Sequence, residues 1–250
     1  MEWHESEGLR WLGADLAGAR AAFSTRLGGV SQPPFDGLNL GVLTDDETTA
    51  VIENRHRLAT ALGHEPARIP IGLQVHGAEL ATHTGPQRPS PFAQPGAAIP
   101  EVDGHVVPLG TDLAPLVFVA DCLPVALSGP GGVAMLHCGW RGLAAGIVAA
   151  GAAAIGATGA AIGPGIGRCC FEVGPEVLEA FAPLGDGIAA GRMLDLPEVA
   201  RRLLAQAGVE RIESAGLCTC CEPELFFSHR RDAGRTGRQA GLVWAEAGEV

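Results

Sequence analysis

Short apolar runs, each ending abruptly at a polar or sulphur-bearing side chain, dominate the hydrophobic pattern of the first 140 residues. Residues 113–120 and 133–136 are apolar throughout, and residues 73–77 form a weaker run of the same type. An apolar run of this length, bounded by turn residues, is typical of a buried strand. We therefore predict three strands, each ending at a side chain that can bind a metal: His76, Cys122 and His137.

The clearest amphipathic helix is predicted at residues 48–63, where Val51, Leu58 and Leu62 share one face and acidic residues precede the first turn. Further helices are predicted at residues 143–154, 174–182 and 196–208, and further strands at residues 19–25, 160–162, 209–214 and 240–245. Because strands and helices do not alternate regularly, we predict an α+β fold, formed by residues 1–250 as a single domain.

Two segments lack periodicity and are rich in turn residues. Residues 86–100 contain five prolines and are expected to form an irregular connection. Residues 26–40 form a second long loop, and a loop of that length in a compact domain is often functional. Arg26 precedes Gly28-Gly29 in this loop, so it is interpreted either as a phosphate contact or as a surface arginine in a turn.

Composition narrows the function classes. The net charge is −11 and all 17 basic residues are arginine, which disfavours a general nucleic-acid surface. Residues 143–163 carry no charge, but they are mostly Ala and Gly, so we predict a buried helix followed by a strand rather than a membrane span. Seven cysteines, preceded by an acidic N-terminal segment, favour a reducing, cytoplasmic setting with free thiols.

Two His and one Cys are a ligand set typical of catalytic zinc, which keeps one coordination position open. The alternative is that His76, Cys122 and His137 are ordinary packed or hydrogen-bonded residues, because their spacing matches no local zinc motif. A second group of cysteines, Cys169-Cys170 and Cys218-Thr219-Cys220-Cys221, contains only one Cys-x-x-Cys pair. We expect buried thiols there rather than a structural zinc site.

Several motifs along the chain resemble the signatures of one family, the multicopper polyphenol oxidase or laccase-domain proteins. They are Ser24-Thr25-Arg26-Leu27-Gly28-Gly29-Val30-Ser31, Leu38-Asn39-Leu40-Gly41, Asn54-Arg55, Gln74-Val75-His76-Gly77, Ala120-Asp121-Cys122-Leu123-Pro124-Val125, His137-Cys138-Gly139-Trp140-Arg141-Gly142, Ile162-Gly163-Pro164, Cys170-Phe171-Glu172-Val173, Phe226-Phe227-Ser228-His229-Arg230-Arg231 and Thr236-Gly237-Arg238-Gln239. One departure is Cys138, where the family usually has Ala, which leaves the number of metal ligands open.

The resemblance implies a layered α/β/β/α sandwich with mixed sheets. It also implies zinc-dependent phosphorolysis of adenosine, inosine, guanosine or S-methyl-5′-thioadenosine, together with hydrolytic deamination of adenosine. His76, Cys122 and His137 would hold the zinc, and Arg26, Arg55, Gln74 and Arg141 would bind the nucleoside or phosphate. Asp103 matches an acidic position of the family, although by itself it is interpreted as a turn residue before Gly104.

Some alternatives remain open at this stage. Arg55 is most simply a solvated charge on its helix, and Arg141 either binds phosphate at a helix start or pairs with a carboxylate such as Asp121. Cys122 could instead be the nucleophile of a Cys/His hydrolase that edits cell-wall precursors. Copper-dependent phenol oxidation is disfavoured because only eight His are present. A further alternative is a non-enzymatic binding protein that uses zinc only structurally. The sequence also leaves the oligomeric state open, and a monomer is possible.

Overall fold

A computed structural model of the chain describes residues 1–246. Its strands are β1 Glu2–Ser6, β2 Leu9–Leu16, β3 Ala19–Ser24, β4 Leu80–Thr82, β5 Gly104–Pro108, β6 Leu116–Val119, β7 Leu123–Gly129, β8 Gly132–Cys138, β9 Gly159–Ile162, β10 Ala189–Ala190, β11 Met193–Leu194, β12 Arg211–Ser214 and β13 Gln239–Ala245. Its helices are α1 Thr48–Ala61, α2 Trp140–Ala144, α3 Ile147–Ile155, α4 Pro175–Phe181 and α5 Leu196–Gln206.

Two sheets form the centre of the molecule. The first has the strand order β1-β2-β3-β13-β6 and is antiparallel throughout. The second has the order β12-β9-β7-β8-β5-β4 and is mixed, because its two edge strands, β12 and β4, run parallel to their neighbours. In this second sheet Pro124 of β7 lies opposite His137 of β8, so the start of β7 and the end of β8 lie at the same end of these two neighbouring strands.

Three apolar clusters arrange these elements in four layers. Phe23 and Val243 of the first sheet pack against Val133 and Met135 of the second, which fills the space between the sheets. The outer face of the second sheet packs against α2 to α5, through residues such as Leu136 and Ile147. The outer face of the first sheet packs against α1. The predicted α/β/β/α sandwich with mixed sheets is thereby confirmed.

The structure corrects two predicted elements. Residues 143–154 are not one helix, because Gly146 has a left-handed backbone (φ 91°) that separates α2 from α3. Residues 73–77 do not form a strand: Leu73 makes only an isolated bridge with Glu101, and His76 has a positive φ of 63°. A residue whose backbone lies in the left-handed region cannot be part of a regular strand.

The N-terminal hairpin of β1 and β2, and the strands β4 and β5, were not predicted. Strand β1 is exposed and shows little alternation of apolar and polar residues, so its sequence does not indicate a strand. Antiparallel pairing with β2 holds it in extended form. Within residues 1–246, no helix combines the length and apolarity that crossing a membrane requires. The single-domain assignment over residues 1–250 stays a prediction, and its last four residues lie outside the described part.

Candidate metal centre

The three predicted ligands come together at one edge of the second sheet. One ligand atom from each of His76, Cys122 and His137 lies within 4.8 Å of the other two. His137 is the penultimate residue of β8, Cys122 immediately precedes β7, and His76 lies on the loop before β4. The antiparallel pairing of β7 with β8 explains the meeting of Cys122 and His137. His76, from a loop, needs a separate device to hold it there.

That device is Asp103, a fully buried carboxylate just before β5. The backbone N–H groups of Val75, His76 and Gly77 all donate to it, over 3.1, 2.9 and 2.6 Å. Three N–H donors converging on one carboxylate hold the loop in its left-handed turn at His76. The turn therefore depends on a residue far away in the sequence.

Asp103 also orients His137. Its Oδ1 lies 2.7 Å from Nδ1 of His137, which leaves Nε2 as the ring nitrogen that faces the other ligands. A carboxylate on the second nitrogen of a metal-binding histidine is the usual partner in such sites, because it sets the tautomer and the ring orientation. From the sequence, Asp103 is interpreted only as a turn residue or as a match to an acidic position of the family. Its contacts with the His76 loop and with His137 arise from the tertiary structure.

The electrostatics of the cluster favour the ligand form of Cys122. Burial by itself raises the pKa of the thiol, but the charge and hydrogen bonding of His137, with His76, outweigh burial and lower this pKa to about 6. Burial likewise opposes charging of His137, but Cys122 and Asp103 raise the pKa of its imidazole to about 9. Both shifts are in the direction that favours a thiolate on Cys122, which is the form of cysteine that binds a metal.

A divalent metal fits this donor set. A thiolate and two imidazoles are ligands of the type found in catalytic zinc sites, and the second nitrogen of His137 already has its carboxylate partner. Cys138 does not add a fourth ligand, since it is fully buried in the apolar cluster beneath the helices and its pKa is raised by burial. Within residues 1–246 the group thus offers three candidate ligands, one fewer than the four that close a structural zinc site.

The polypeptide approaches the cluster very closely at Gly139. A Cβ at this position would lie 2.9 Å from Sγ of Cys122 and 3.2 Å from Cδ2 of His76. Gly142 is similarly constrained, since its Cβ would lie 2.8 Å from the carbonyl oxygen of Gly77. The two glycines of the motif that follows His137 thus let β8 turn into α2 against the ligand loop.

Asp121, the residue before Cys122, has a positive φ of 89°. Its carboxylate accepts hydrogen bonds from Oγ1 of Thr219 at 2.6 Å and from the backbone N–H of Arg230 at 2.7 Å. Strained backbone of this kind persists where surrounding contacts hold it, and it is common at functional sites. The position of Cys122 therefore depends on segments near the C-terminal end of the chain.

Three of the predicted substrate-binding side chains have other partners. Arg55 is fully buried and donates to the carbonyl oxygens of Leu40, Pro91 and Phe92, so the solvated-charge interpretation is wrong. The anion-contact interpretation stays a prediction. Burial lowers the pKa of its guanidinium to about 10. The arginine instead attaches the proline-rich connection to α1.

Gln74 and Arg26 are engaged in the same way. The amide of Gln74 both donates to and accepts from the backbone of Phe118, which leaves little of it for a ligand. Arg26 forms an ion pair with Asp36 and donates to the carbonyl oxygens of Asp36 and Pro223. These contacts tie Gln74 and Arg26 to neighbouring segments of the chain. Their role in binding the nucleoside or phosphate stays a prediction.

Arg141 remains available. Its side chain is exposed and stacks on Trp140, with 4.5 Å between the guanidinium carbon and the ring centroid. Among residues 1–246 it forms no ion pair. The carboxylate of Asp121 instead accepts from the hydroxyl of Thr219 and the backbone N–H of Arg230, so the predicted alternative of an Arg141–Asp121 pair is wrong. A second arginine, Arg238, lies near the cluster, since the charges of Cys122 and Asp121 act on it, although burial lowers its pKa. Sequence motifs contained Arg238 but did not single it out.

A second group of metal-competent side chains lies on the loops after β9 and β12. Sγ atoms of Cys169, Cys170, Cys218 and Cys221 all lie within 4.8 Å of one another. The expectation of separate buried thiols was wrong, because Cys169 and Cys221 are exposed and the four sulphurs converge. Local spacing did not predict this cluster because parallel pairing of β9 and β12 brings the two loops together.

Comparison with known proteins identifies similar chains. A family model described as multi-copper polyphenol oxidoreductase laccase matches residues 20–246. A protein of Escherichia coli K12 named purine nucleoside phosphorylase YfiH is 39% identical over 241 residues, which cover 91% of this chain and 94% of that protein. Purine nucleoside phosphorylase PA4543 of Pseudomonas aeruginosa is 39% identical over 254 residues, with 94% and 98% covered.

A solved structure agrees with the fold. The crystal structure of the Bacillus licheniformis hypothetical protein YfiH matches with a TM-score of 0.87 and 32% identity, and it covers 98% of this chain and 99% of that chain.

Proposed function

Because the chain belongs to the family described as multi-copper polyphenol oxidoreductase laccase, and its relatives include proteins named purine nucleoside phosphorylase, we propose that it is a zinc-dependent enzyme of purine nucleoside metabolism. The observation that carries the proposal is the convergence of one ligand atom from each of His76, Cys122 and His137. Its reaction is the phosphorolysis of a purine nucleoside such as adenosine, inosine, guanosine or S-methyl-5′-thioadenosine.

In phosphorolysis, a phosphate oxygen forms a bond to ribose C1′ while the bond from C1′ to the purine nitrogen breaks. When bound, zinc supplies Lewis acidity next to the reacting groups. The chain itself supplies a cationic side chain for phosphate in Arg141, whose exposed guanidinium stacks on Trp140 and forms no ion pair within residues 1–246. Arg238 is a second candidate, although one of its guanidinium nitrogens already donates to the carbonyl oxygens of Thr236 and Gly237. A guanidinium binds phosphate through a planar fork, which orients the anion as well as attracting it.

Hydrolytic deamination of adenosine is the second reaction that we assign to the same site. Here water replaces the 6-amino group, so no phosphate is consumed and the phosphate-binding arginines have little to do. The two reactions therefore differ in which side chains they require, although both need the ligands His76, Cys122 and His137.

Zinc suits the cluster better than a multicopper centre. Within residues 1–246, His, Cys, Asp and Glu side chains gather into possible metal sites at two places, and one of these contains only cysteines. A multicopper centre needs many histidines, but two others, His83 and His105, are buried and bonded to each other. Copper-dependent phenol oxidation is thus the weaker alternative for this chain.

The thiolate character of Cys122 favours one competing function, a Cys/His hydrolase in which Cys122 attacks an amide or ester of a cell-wall precursor. The metal separates the two functions. If Cys122 in metal-free protein is alkylated by iodoacetamide, and if zinc both blocks alkylation and restores nucleoside turnover, Cys122 acts as a ligand. Turnover of substrate that persists in metal-free protein would instead identify Cys122 as a nucleophile.

The decisive experiment combines metal content with product analysis. Purified protein is incubated with adenosine and phosphate, and adenine, ribose 1-phosphate, inosine and hypoxanthine are separated by chromatography. We expect phosphorolysis products in zinc-loaded protein, and their loss in His76→Ala, Cys122→Ala and His137→Ala variants with native circular dichroism. A chain that holds no zinc, or that forms none of these products, overturns the proposal.

Cys138→Ala is the matched control, because it removes a neighbouring thiol that packs in the apolar core. We expect this variant to keep its zinc and its activity. Loss of either would mean that Cys138 closes the coordination sphere and that the site is structural. The cytoplasmic location favoured by seven free cysteines remains a further prediction.

A further inference from the structure

Four cysteines from two distant parts of the sequence surround one point on the surface. Sγ of Cys221 lies 3.4 Å from Sγ of Cys169 and 3.4 Å from Sγ of Cys170. Sγ of Cys218 completes a group in which every separation is within 4.8 Å. None of His76, Cys122 and His137 belongs to this group, so the four cysteines form a second, separate cluster.

We propose that these four cysteines bind one structural zinc ion as a tetrathiolate site. Zinc in structural sites takes four ligands in a tetrahedron, with bonds of about 2.3 Å to sulphur. Four sulphurs around such an ion are separated by about 3.8 Å, which follows from the tetrahedral angle and that bond length. Separations of 3.4 Å, and of up to 4.8 Å across the group, need only small side-chain adjustments to reach this geometry.

A disulfide explains the arrangement less well. It joins two sulphurs at about 2.05 Å and would leave the other two cysteines of the group unused. Cys221 is equally close to two sulphurs, so the geometry selects no single partner for it. A single cation that accepts all four thiolates uses every member of the group.

The surrounding groups suit a negatively charged cluster. The backbone N–H of Gly167 donates to Sγ of Cys218 at 3.3 Å, which is a contact that stabilises a thiolate. Arg230 lies alongside and donates to the carbonyl oxygens of Cys170 and Glu172, so its guanidinium is held next to the cysteine loop. A zinc tetrathiolate carries two net negative charges, and a fixed cation beside it offsets part of that charge.

The position of the cluster also assigns it a role. Strands β9 and β12 are parallel neighbours, so the loops that follow them leave the sheet at the same edge. Gly165 and Cys218 bridge these loops, and the backbone N–H of Thr219 donates to the carbonyl oxygen of Gly165. Thr219 in turn donates to Asp121, the residue before Cys122. Zinc at the four cysteines would therefore fasten the loop that supports the metal centre.

The test counts zinc in variants in which the metal centre has been disabled. We expect full-length Cys122→Ala protein, purified under reducing conditions, to hold one zinc per chain. Adding Cys221→Ser should remove that zinc, because Cys221 contacts two of the other thiols and, being exposed, is replaced with little effect on packing. Adding Cys220→Ser instead should leave it in place, since Cys220 lies outside the group.

A second measurement keeps the proposal falsifiable if a variant misfolds. Unmodified protein is alkylated with and without a chelator, and each cysteine is quantified by peptide mass spectrometry. We expect zinc to protect Cys169, Cys170, Cys218 and Cys221 together, at least tenfold in rate, while labelling of Cys220 changes little. Equal labelling in both conditions, a disulfide within the group in reduced protein, or iron in place of zinc would each overturn the proposal.

These outcomes are independent of the proposed function. If His76, Cys122 and His137 bind no zinc, the Cys122→Ala background changes nothing, and the zinc count still reports on the four cysteines. If the four cysteines bind no zinc, the proposal that the metal centre acts on purine nucleosides still stands.

Discussion

At the scale of single residues, Asp103 is the side chain on which the candidate metal centre most depends. It accepts from three successive backbone N–H groups around His76 and also from the imidazole of His137. One buried carboxylate thereby fixes two of the three ligands. The charges and hydrogen bonds around it, including those of His137, also hold the pKa of Asp103 below its usual value despite the opposing effect of burial.

Asp103→Asn should weaken zinc binding while the protein stays folded. An amide cannot accept from the loop and from His137 as a carboxylate does, and loss of such a partner typically costs about 10–100-fold in metal affinity. Competition with a chromophoric chelator measures this change. Asp186→Asn, on an exposed loop, is the control. Equal affinities in the two variants would contradict a role for Asp103 in positioning the ligands.

His105 predicts a pH dependence of stability. It is fully buried and faces His83, and burial lowers its pKa from 6.5 to about 3. Below pH 6.5 the unfolded chain binds a proton at His105 that the folded chain does not bind. Stability is therefore complete above pH 6.5 and falls as the pH decreases toward 3, by up to about 1.4 kcal/mol per pH unit.

Urea unfolding of the wild type and of His105→Gln at several pH values between 7 and 5 tests this dependence. The free energy of unfolding of the wild type should decrease more steeply with falling pH than that of the variant. Parallel slopes would mean that His105 is protonated in the folded protein.

Arg141 offers a selective test of phosphate binding. Arg141→Lys should raise the KM for phosphate in phosphorolysis, because a point charge cannot reproduce the planar fork of the guanidinium. Adenosine deamination, which consumes no phosphate, should change much less. Both rates are measured on one preparation. A parallel decrease in the two activities, accompanied by a lower Tm, would show instead that Arg141 stabilises the structure.

At the scale of elements, the turn between β8 and α2 determines how closely the chain approaches the cluster. Gly139 caps α2 and lies against two of the ligands, so any side chain there competes for the space they occupy. The apolar residues of β8 point alternately into the two cores, which fixes the strand on both faces. The turn therefore cannot move away to make room.

Gly139→Ala should reduce zinc affinity and activity together, because its methyl group would displace Cys122 and His76 by several tenths of an ångström. Small misplacements of this kind cost far more in binding than in folding, since ligand geometry is strict. Zinc affinity and circular dichroism are measured in parallel. Gly85→Ala is the control, because a Cβ there meets no atom within 4 Å. Unchanged zinc affinity in Gly139→Ala would contradict the proposed ligands.

At the scale of the whole molecule, both proposed metal sites connect segments that are far apart along the chain. The metal centre joins the end of β8, the residue before β7 and the loop before β4, and the four cysteines join the loops after β9 and β12. A ligand that binds only the folded state raises its stability in proportion to the logarithm of its concentration relative to Kd. The metal content should therefore control thermal stability.

Removing zinc with a chelator should lower the Tm by about 8–16 °C, if binding at 1,000 times Kd contributes about 4 kcal/mol and each kcal/mol changes the Tm by about 2–4 °C. Differential scanning calorimetry of metal-free and reloaded protein measures the shift. The Cys122→Ala/Cys221→Ser variant should show almost no response to the chelator. An identical Tm for metal-free and reloaded wild type would argue against both sites.

Local pattern was sufficient for much of the secondary structure, and it marked His76, Cys122 and His137 as candidate ligands. Apolar runs predicted strands near β6 and β8, helical periodicity predicted α1, and the ends of those runs marked Cys122 and His137. These features depend on side-chain polarity over short distances, which the sequence contains directly. The resemblance of its motifs added the layered fold, and the fold agrees.

Tertiary structure decided what those residues are able to do. Asp103 became the anchor of the site only because β5 lies beside β8, and Arg55 became a buried structural cation because α1 packs under the proline-rich connection. The four cysteines converge because β9 and β12 are parallel neighbours, although 47 residues separate Cys170 from Cys218 in between. Such contacts depend on strand order and layer packing, which no local pattern encodes.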